Sequence, residues 1–83
     1  MQNCYRNKID IITSILNTVN GNEVKQLEIL NKAKVTHRLF KEYLCIILQF
    51  GLIEYIWRQG TYKTTEKGIH FIGIYDKMMN LIH

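Results

Sequence analysis

The stretch LIEYIWRQGTYKT, residues 52–64, decides the fold, because here the spacing of apolar side chains changes from helical to alternating. It predicts two strands, Leu52–Arg58 and Thr61–Thr64, on either side of Gln59-Gly60. A two-residue connection that contains glycine favours a tight antiparallel hairpin. The segment therefore predicts a β-hairpin in a chain whose remaining pattern is helical.

The two-residue turn also sets the predicted register of the hairpin. Trp57 then faces Tyr62 across the strands, and we expect this aromatic pair to lie in the core. Arg58 then points outward, since successive side chains of a strand alternate between its faces. The inward face is predicted to carry Tyr55, Trp57, Tyr62 and Thr64, and the outward face Glu54, Ile56, Arg58, Thr61 and Lys63.

Helical spacing governs the segments on both sides of the hairpin. Thr36 is predicted to cap the start of the third helix, and Gly51 to follow its end. Thr65 is predicted to cap the last helix, whose first turn carries Glu66. The predicted helices are Lys8–Asn20, Val24–Lys32, His37–Phe50 and Glu66–Leu81, the last within the C-terminal segment 66–82.

These elements predict a single α+β domain over residues 1–83 with the winged helix-turn-helix order of three helices, a two-stranded wing and a closing helix. Among its 83 residues, 11 are Lys or Arg and 7 are Asp or Glu, which gives a net charge of +4. No apolar run reaches the ~18 residues of a membrane span. The N-terminal residues also lack a signal-peptide pattern, and we therefore expect a cytoplasmic protein.

The basic residues concentrate where this fold meets DNA. Four cations lie between Lys32 and Lys41 without an acid among them, and two more lie on the hairpin. Clustered cations of this kind favour phosphate binding. The six residues are Lys32, Lys34, Arg38, Lys41, Arg58 and Lys63.

Three segments resemble small archaeal winged-helix DNA-binding proteins, both the ten-kilodalton chromatin-associated dimers and the virus- or plasmid-borne regulators. The segments are KVTHRLFKEYL (residues 34–44), FGLIE (residues 50–54) and YKTTEKG (residues 62–68). The resemblance implies binding of double-stranded DNA, with Arg58 at the wing tip. It also implies that Thr36, His37, Arg38 and Lys41 face the groove or the phosphates.

The third helix departs from this family at four positions that are usually polar. Those positions hold Leu39, Cys45, Ile46 and Phe50. The apolar residues among them favour an alternative function, a protein–protein interaction module on the same fold without DNA binding. The clustered cations favour DNA.

The last helix carries twice the apolar surface that one domain requires. Its two apolar stripes together cover about half of its circumference, whereas a surface helix needs a stripe of only somewhat more than ~100°. We therefore expect the second stripe to form a homodimer. The preferred interface stripe is Ile72, Tyr75, Met79 and Ile82, and the other is Phe71, Ile74, Met78 and Leu81.

Catalysis and metal binding find no support in the sequence. Cys4 and Cys45 have no neighbouring pattern of zinc ligands or of an activating base, and we expect two free thiols, Cys45 buried and Cys4 in a mobile terminus. Gly68 and Gly73 follow no glycine-rich loop and are attributed to close helix packing. The sequence therefore predicts a homodimeric transcription regulator or nucleoid-associated protein that is not an enzyme, has no cofactor and binds neither a membrane nor a small-molecule substrate.

Overall fold

The computed structural model describes residues 7–82. Its four helices and two-stranded antiparallel hairpin confirm the predicted α+β fold. Cys4, predicted to be a free thiol, lies outside the described residues. The elements are α1 (Lys8–Thr18), α2 (Gln26–Ala33), α3 (His37–Gln49), β1 (Ile53–Ile56), β2 (Thr61–Thr64) and α4 (Glu66–Ile82).

The helix ends follow the predicted caps. The Thr36 hydroxyl accepts the N–H of Leu39 at 3.1 Å, which satisfies one of the unpaired amides at the start of α3. The Thr65 hydroxyl accepts the N–H of Gly68 at 3.1 Å in the same way at the start of α4. Gly51 follows α3 with a φ of 71°, a left-handed conformation that favours glycine.

The sequence predicts that α2 begins at Val24, but this residue instead forms a short antiparallel bridge with Tyr62 of β2. Its N–H donates to the Tyr62 carbonyl at 2.9 Å, and its carbonyl accepts the Tyr62 N–H at 2.8 Å. Both backbone groups of Val24 are therefore already used, and α2 starts at Gln26. The bridge attaches the hairpin to the segment between α1 and α2.

The hairpin turn contains four residues, Trp57–Gly60, so the prediction of a two-residue turn is wrong. The carbonyl of Ile56 accepts the N–H of Gln59 at 3.0 Å and that of Gly60 at 2.9 Å. Gly60 has a φ of 66°, which most side chains disfavour. Turns of this length commonly close in this way, and Ile56 consequently pairs with Thr61.

The longer turn shifts the pairing by two residues and replaces the predicted aromatic pair with another one. Tyr55 faces Tyr62, with ring centroids 4.9 Å apart, and Tyr62 packs edge-on against Phe40 of α3 at 5.8 Å. Trp57 lies in the turn and is 79% exposed. The prediction that Tyr55 and Trp57 face the core is therefore wrong, since Tyr55 is also exposed, whereas Tyr62 is buried as predicted.

Two hydroxyl groups attach β2 to other parts of the chain. The buried Thr64 hydroxyl donates to the carbonyl of Leu16 in α1 at 2.9 Å. Thr61 is also buried, although an outward position was predicted, and its hydroxyl donates to the Glu23 carboxylate at 3.1 Å. The core beneath is formed by α1, α2 and α3 together with the hairpin and Ile72 of α4. Its largest fully buried side chains are Phe40, Ile15, Leu16, Ile29, Ile47 and Val19.

The two glycines of α4 have different surroundings. A Cβ atom at Gly68 would lie 2.1 Å from the carbonyl oxygen of Leu52, so close packing is confirmed there. A Cβ atom at Gly73 would have nothing within 4 Å, and the same prediction is wrong for that residue. Only the first glycine is required where α4 crosses the start of the hairpin.

The two apolar stripes of α4 also have different surroundings. Ile72 is 5% exposed and belongs to the core, and the Tyr75 hydroxyl donates to the Asp10 carboxylate of α1. The assignment of Ile72 to a partner-facing stripe is therefore wrong, because its own chain already covers it. Tyr75 and Met79 are half-buried. The exposed apolar residues of α4 are Ile69, Ile74, Met78, Leu81 and Ile82.

Candidate nucleic-acid interface

The turn between α2 and α3 displays Lys34. This residue has a φ of 56° and is the only non-glycine residue with a positive φ between residues 7 and 82. The N–H groups of Lys34 and Val35 both reach the carbonyl of Leu30, which closes α2. The left-handed backbone thus ends the helix and leaves the Lys34 side chain exposed beside the start of α3.

The N-terminal half of α3 is solvent-exposed on its outer side. The cap Thr36 and the first residue His37 are both exposed. Arg38 and Lys41, three positions apart, share one face, and Cys45 continues that face one turn later. All five residues predicted here to contact DNA, Lys34 included, therefore lie on one continuous segment and are accessible.

Two acidic residues at the edges of this segment were missed in the sequence. Glu28 pairs with Lys32 at 2.8 Å, and Glu42 pairs with Arg38 at 3.7 Å. Exposed pairs of this kind contribute only about 0.2–1 kcal/mol, so a phosphate can replace the carboxylate as partner. The signal was available, since both pairs have the i, i+4 spacing of neighbours on a helix. Within residues 7–82, Lys34 and Lys41 form no ion pair.

The C-terminal half of α3 presents apolar side chains to solvent. Ile46, Leu48 and Phe50 are exposed, and so is Cys45, whose predicted burial is wrong. Leu39, in contrast, packs against the core. The outer side of α3 therefore changes from charged at its start to apolar at its end.

A polar groove lies beside Lys34 and extends the candidate surface to α1. Its volume is about 590 Å³, and its α1 wall is formed by Ser14, Asn17 and Thr18. These three residues occupy positions i, i+3 and i+4 of α1 and therefore share one face of the helix. This spacing is visible in the sequence and could have predicted the polar face. Lys32 and Lys34 line the opposite wall.

The wing carries its two predicted cations in different settings. Arg58 lies in the four-residue turn and is exposed. Lys63 is exposed on β2, where it faces Glu54 of β1 directly. Opposite charges in this position attract each other, so Lys63 adds less positive potential than Arg58. The contact of Tyr62 with Phe40 fixes the hairpin to α3.

The candidate residues of α3 and of the hairpin are exposed. No three His, Cys, Asp or Glu side chains between residues 7 and 82 are grouped to hold a metal ion. In the same part of the chain, no helix has both the length and the apolar character to cross a membrane. The surface instead combines cations, hydroxyl groups and one free thiol, Cys45.

Comparison with known proteins supports the same architecture. A family model described as winged helix-turn-helix matches residues 5–83, which is nearly the whole chain. No curated protein matches the chain.

Proposed function

The chain belongs to the winged helix-turn-helix family, and on this premise we propose that it binds double-stranded DNA with α3 in the major groove. The observation that carries the proposal is the exposed outer face of α3, where Arg38 and Lys41 lie beside Lys34. A major groove about 12 Å wide admits one helix of this diameter. Winged helix-turn-helix domains are typically not enzymes, and the proposal is one of binding without catalysis.

We propose two kinds of DNA contact for the cations, one with base edges and one with phosphates. Arg38 is proposed to contact a base edge, since its guanidinium can pair with guanine through two hydrogen bonds. Lys34, Lys41 and Lys63 are proposed to contact phosphates, which position a protein without reading sequence. Arg58 is proposed to approach the minor groove, where narrow A·T tracts attract arginine. Thr36 and His37 add hydrogen-bonding groups at the start of α3.

Binding of labelled duplex DNA at several salt concentrations tests the proposal. The Arg38→Ala, Lys41→Ala double variant should bind more weakly, and loss of the Lys41 phosphate contact alone should reduce the salt slope by about one unit. Lys77→Ala is the matched control, because this exposed lysine lies on α4 outside the proposed surface. Equal affinity of the wild type, the double variant and the control, at equal thermal stability, would refute α3 as the DNA-reading helix.

We further propose a homodimer formed by the outer stripe of α4. Ile74 and Met78 are about half exposed, and Leu81 is 88% exposed. The stripe continues into an apolar hollow of about 130 Å³ between α4 and Ile9 of α1, lined also by Phe71. Burying such side chains gains about 1.5–3 kcal/mol each before the cost of association, which supports pairing of two copies.

A two-fold axis through α4 would present two copies of α3 to one duplex. Such an arrangement suits half-sites separated by about 34 Å or a multiple of that distance. Light scattering on the wild type and on Met78→Glu tests it, with Asn80→Glu as the control that adds the same charge to the polar side of α4. A monomeric wild type at tens of micromolar, or equal dimerisation of both variants, would contradict this interface.

The cellular role that fits these properties is transcription regulation or nucleoid association in the cytoplasm. The two roles differ in sequence preference, because a regulator must favour its operator over the many competing sites of a genome. Repeated selection from a pool of random duplexes distinguishes them. Enrichment of one sequence supports a regulator, and a pool that stays random supports a nucleoid component.

The apolar end of α3 favours a second candidate, a protein-interaction module that does not bind DNA. Ile46 and Phe50 line an apolar groove of about 290 Å³ together with Ile9 and Phe71. A wild-type protein that binds no duplex even at low salt, where phosphate contacts are strongest, would support this alternative over DNA binding.

A further inference from the structure

The wing tip exposes an aromatic side chain that the fold does not use. Trp57, the only tryptophan of the chain, is 79% exposed in the hairpin turn. Within residues 7–82 its indole has no ring contact and no hydrogen bond. A large aromatic surface in this position is free to contact a ligand.

The turn holds the backbone of Trp57 in a defined conformation. Two hydrogen bonds from Gln59 and Gly60 to the carbonyl of Ile56 close the turn around it. Close to the turn, Tyr62 of β2 is attached to Val24 by two backbone hydrogen bonds and packs against Phe40. The backbone of the turn is therefore already ordered. Binding of a ligand by Trp57 then requires little further ordering of the backbone.

The surroundings of Trp57 suit DNA. Arg58 follows it in the same turn, and the turn residues Trp57–Gly60 contain no acidic side chain. A cation next to an exposed aromatic ring matches the two components of a nucleotide, the phosphate and the flat face of its base.

We propose that Trp57 stacks on a base that has left the double helix, so that the wing prefers DNA with an unpaired base to fully paired DNA. In an intact duplex the neighbouring bases cover each base face, and an inserted side chain must first unstack a step. A mismatched or bulged base needs less energy for this opening. The inference rests on the proposed DNA binding and adds to it a class of DNA structure that the wing recognises.

The affinity for two matched DNA molecules tests the proposal. One is a short duplex, and the other is the same duplex with a single unpaired nucleotide. Trp57→Ala should weaken binding to the bulged DNA about 5- to 150-fold, which corresponds to the range of base–aromatic stacking, and should affect the intact duplex much less. Trp57→Phe should retain most of the affinity, because its ring can still stack. Equal losses on both DNA molecules, or no loss on either, would overturn the proposal.

Tryptophan fluorescence provides a second, direct measurement. Because Trp57 is the only tryptophan, the emission of the wild type reports this side chain alone. Stacking on a base should quench the emission with the bulged DNA and protect the indole from iodide. Unchanged emission and iodide access in a saturated complex would show that Trp57 does not contact the base.

The outcomes separate this inference from the DNA-binding proposal. A wild type that binds neither DNA molecule refutes both. A wild type that binds both equally, with affinities reduced by Arg38→Ala but unchanged by Trp57→Ala, refutes only the stacking. Circular dichroism of each variant checks its fold, and the fluorescence and iodide measurements on the wild type test the stacking should the alanine variant unfold.

Discussion

The paired strands of the hairpin, called its base below, and the turn Trp57–Gly60, called its tip, use their aromatic residues in opposite ways. At the base, Tyr62 is buried, bonded to Val24 and packed against Phe40. At the tip, Trp57 is exposed and packs against no other ring among the described residues. An aromatic residue in a short hairpin thus stabilises the fold only where another element covers it. The base is held by the rest of the chain, and the tip remains available for binding.

The largest expected effect comes from removing the aromatic residue of the base. Tyr62→Ala should lower the free energy of unfolding by about 3–5 kcal/mol, the loss typical of a buried aromatic side chain that leaves a cavity. Urea denaturation followed by circular dichroism measures this change. A loss below 1 kcal/mol would show that the base of the hairpin contributes no more than an exposed surface.

The next largest effect on stability is expected where α4 crosses the start of the hairpin. Gly68→Ala would place its Cβ 2.1 Å from the Leu52 carbonyl oxygen and should destabilise the protein by about 1–3 kcal/mol, as overpacking does. Gly73→Ala is the matched control in the same helix, where open space and better helix propensity should stabilise by about 0.4–1 kcal/mol. Thermal unfolding of both variants measures the difference, and a stabilising Gly68→Ala would contradict the close contact.

A smaller effect concerns how the free energy of unfolding depends on pH through the phenol of Tyr62. Burial raises the pKa of the Tyr62 phenol above its ordinary value of 10.0, and the neighbouring Tyr55 adds to the shift. The unfolded chain then loses this proton at a lower pH than the folded chain, so stability should fall as the pH rises above about 10. Chemical denaturation at pH 9 and pH 11 should show a smaller fall for Tyr62→Phe than for the wild type. Identical falls would assign the pH dependence to other groups.

The smallest expected effect is the one at the tip. Trp57→Ala should change the free energy of unfolding by no more than about 0.5 kcal/mol, as for other exposed residues without a structural role. The denaturation midpoint measures this change, and it should lie close to that of the wild type and well above that of Tyr62→Ala. A loss of several kcal/mol would place Trp57 in the core and would reverse the difference between base and tip.

Part of the candidate site could be predicted because it depends on interactions within a few residues. The caps Thr36 and Thr65 bond to amides three positions later, and the start of α3 carries its cations in consecutive turns. The ion pairs of Arg38 with Glu42 and Lys32 with Glu28 are equally local and were accessible to the same reasoning. The exposure of Trp57 was not predicted, because it follows from a turn of four residues and not of the expected two.

The sequence by itself determined the helices, their caps, the hairpin and the concentration of cations near α3, since apolar spacing and side-chain-to-backbone hydrogen bonds act over short distances. Only the tertiary structure decided which aromatic residue of the hairpin is buried, because Val24 and Phe40 lie far from Tyr62 in the chain and no local pattern records these contacts. It also decided which side of α4 stays exposed and which of Gly68 and Gly73 is required. The two glycines share a helix but differ in what lies opposite them, and that neighbour comes from another part of the fold.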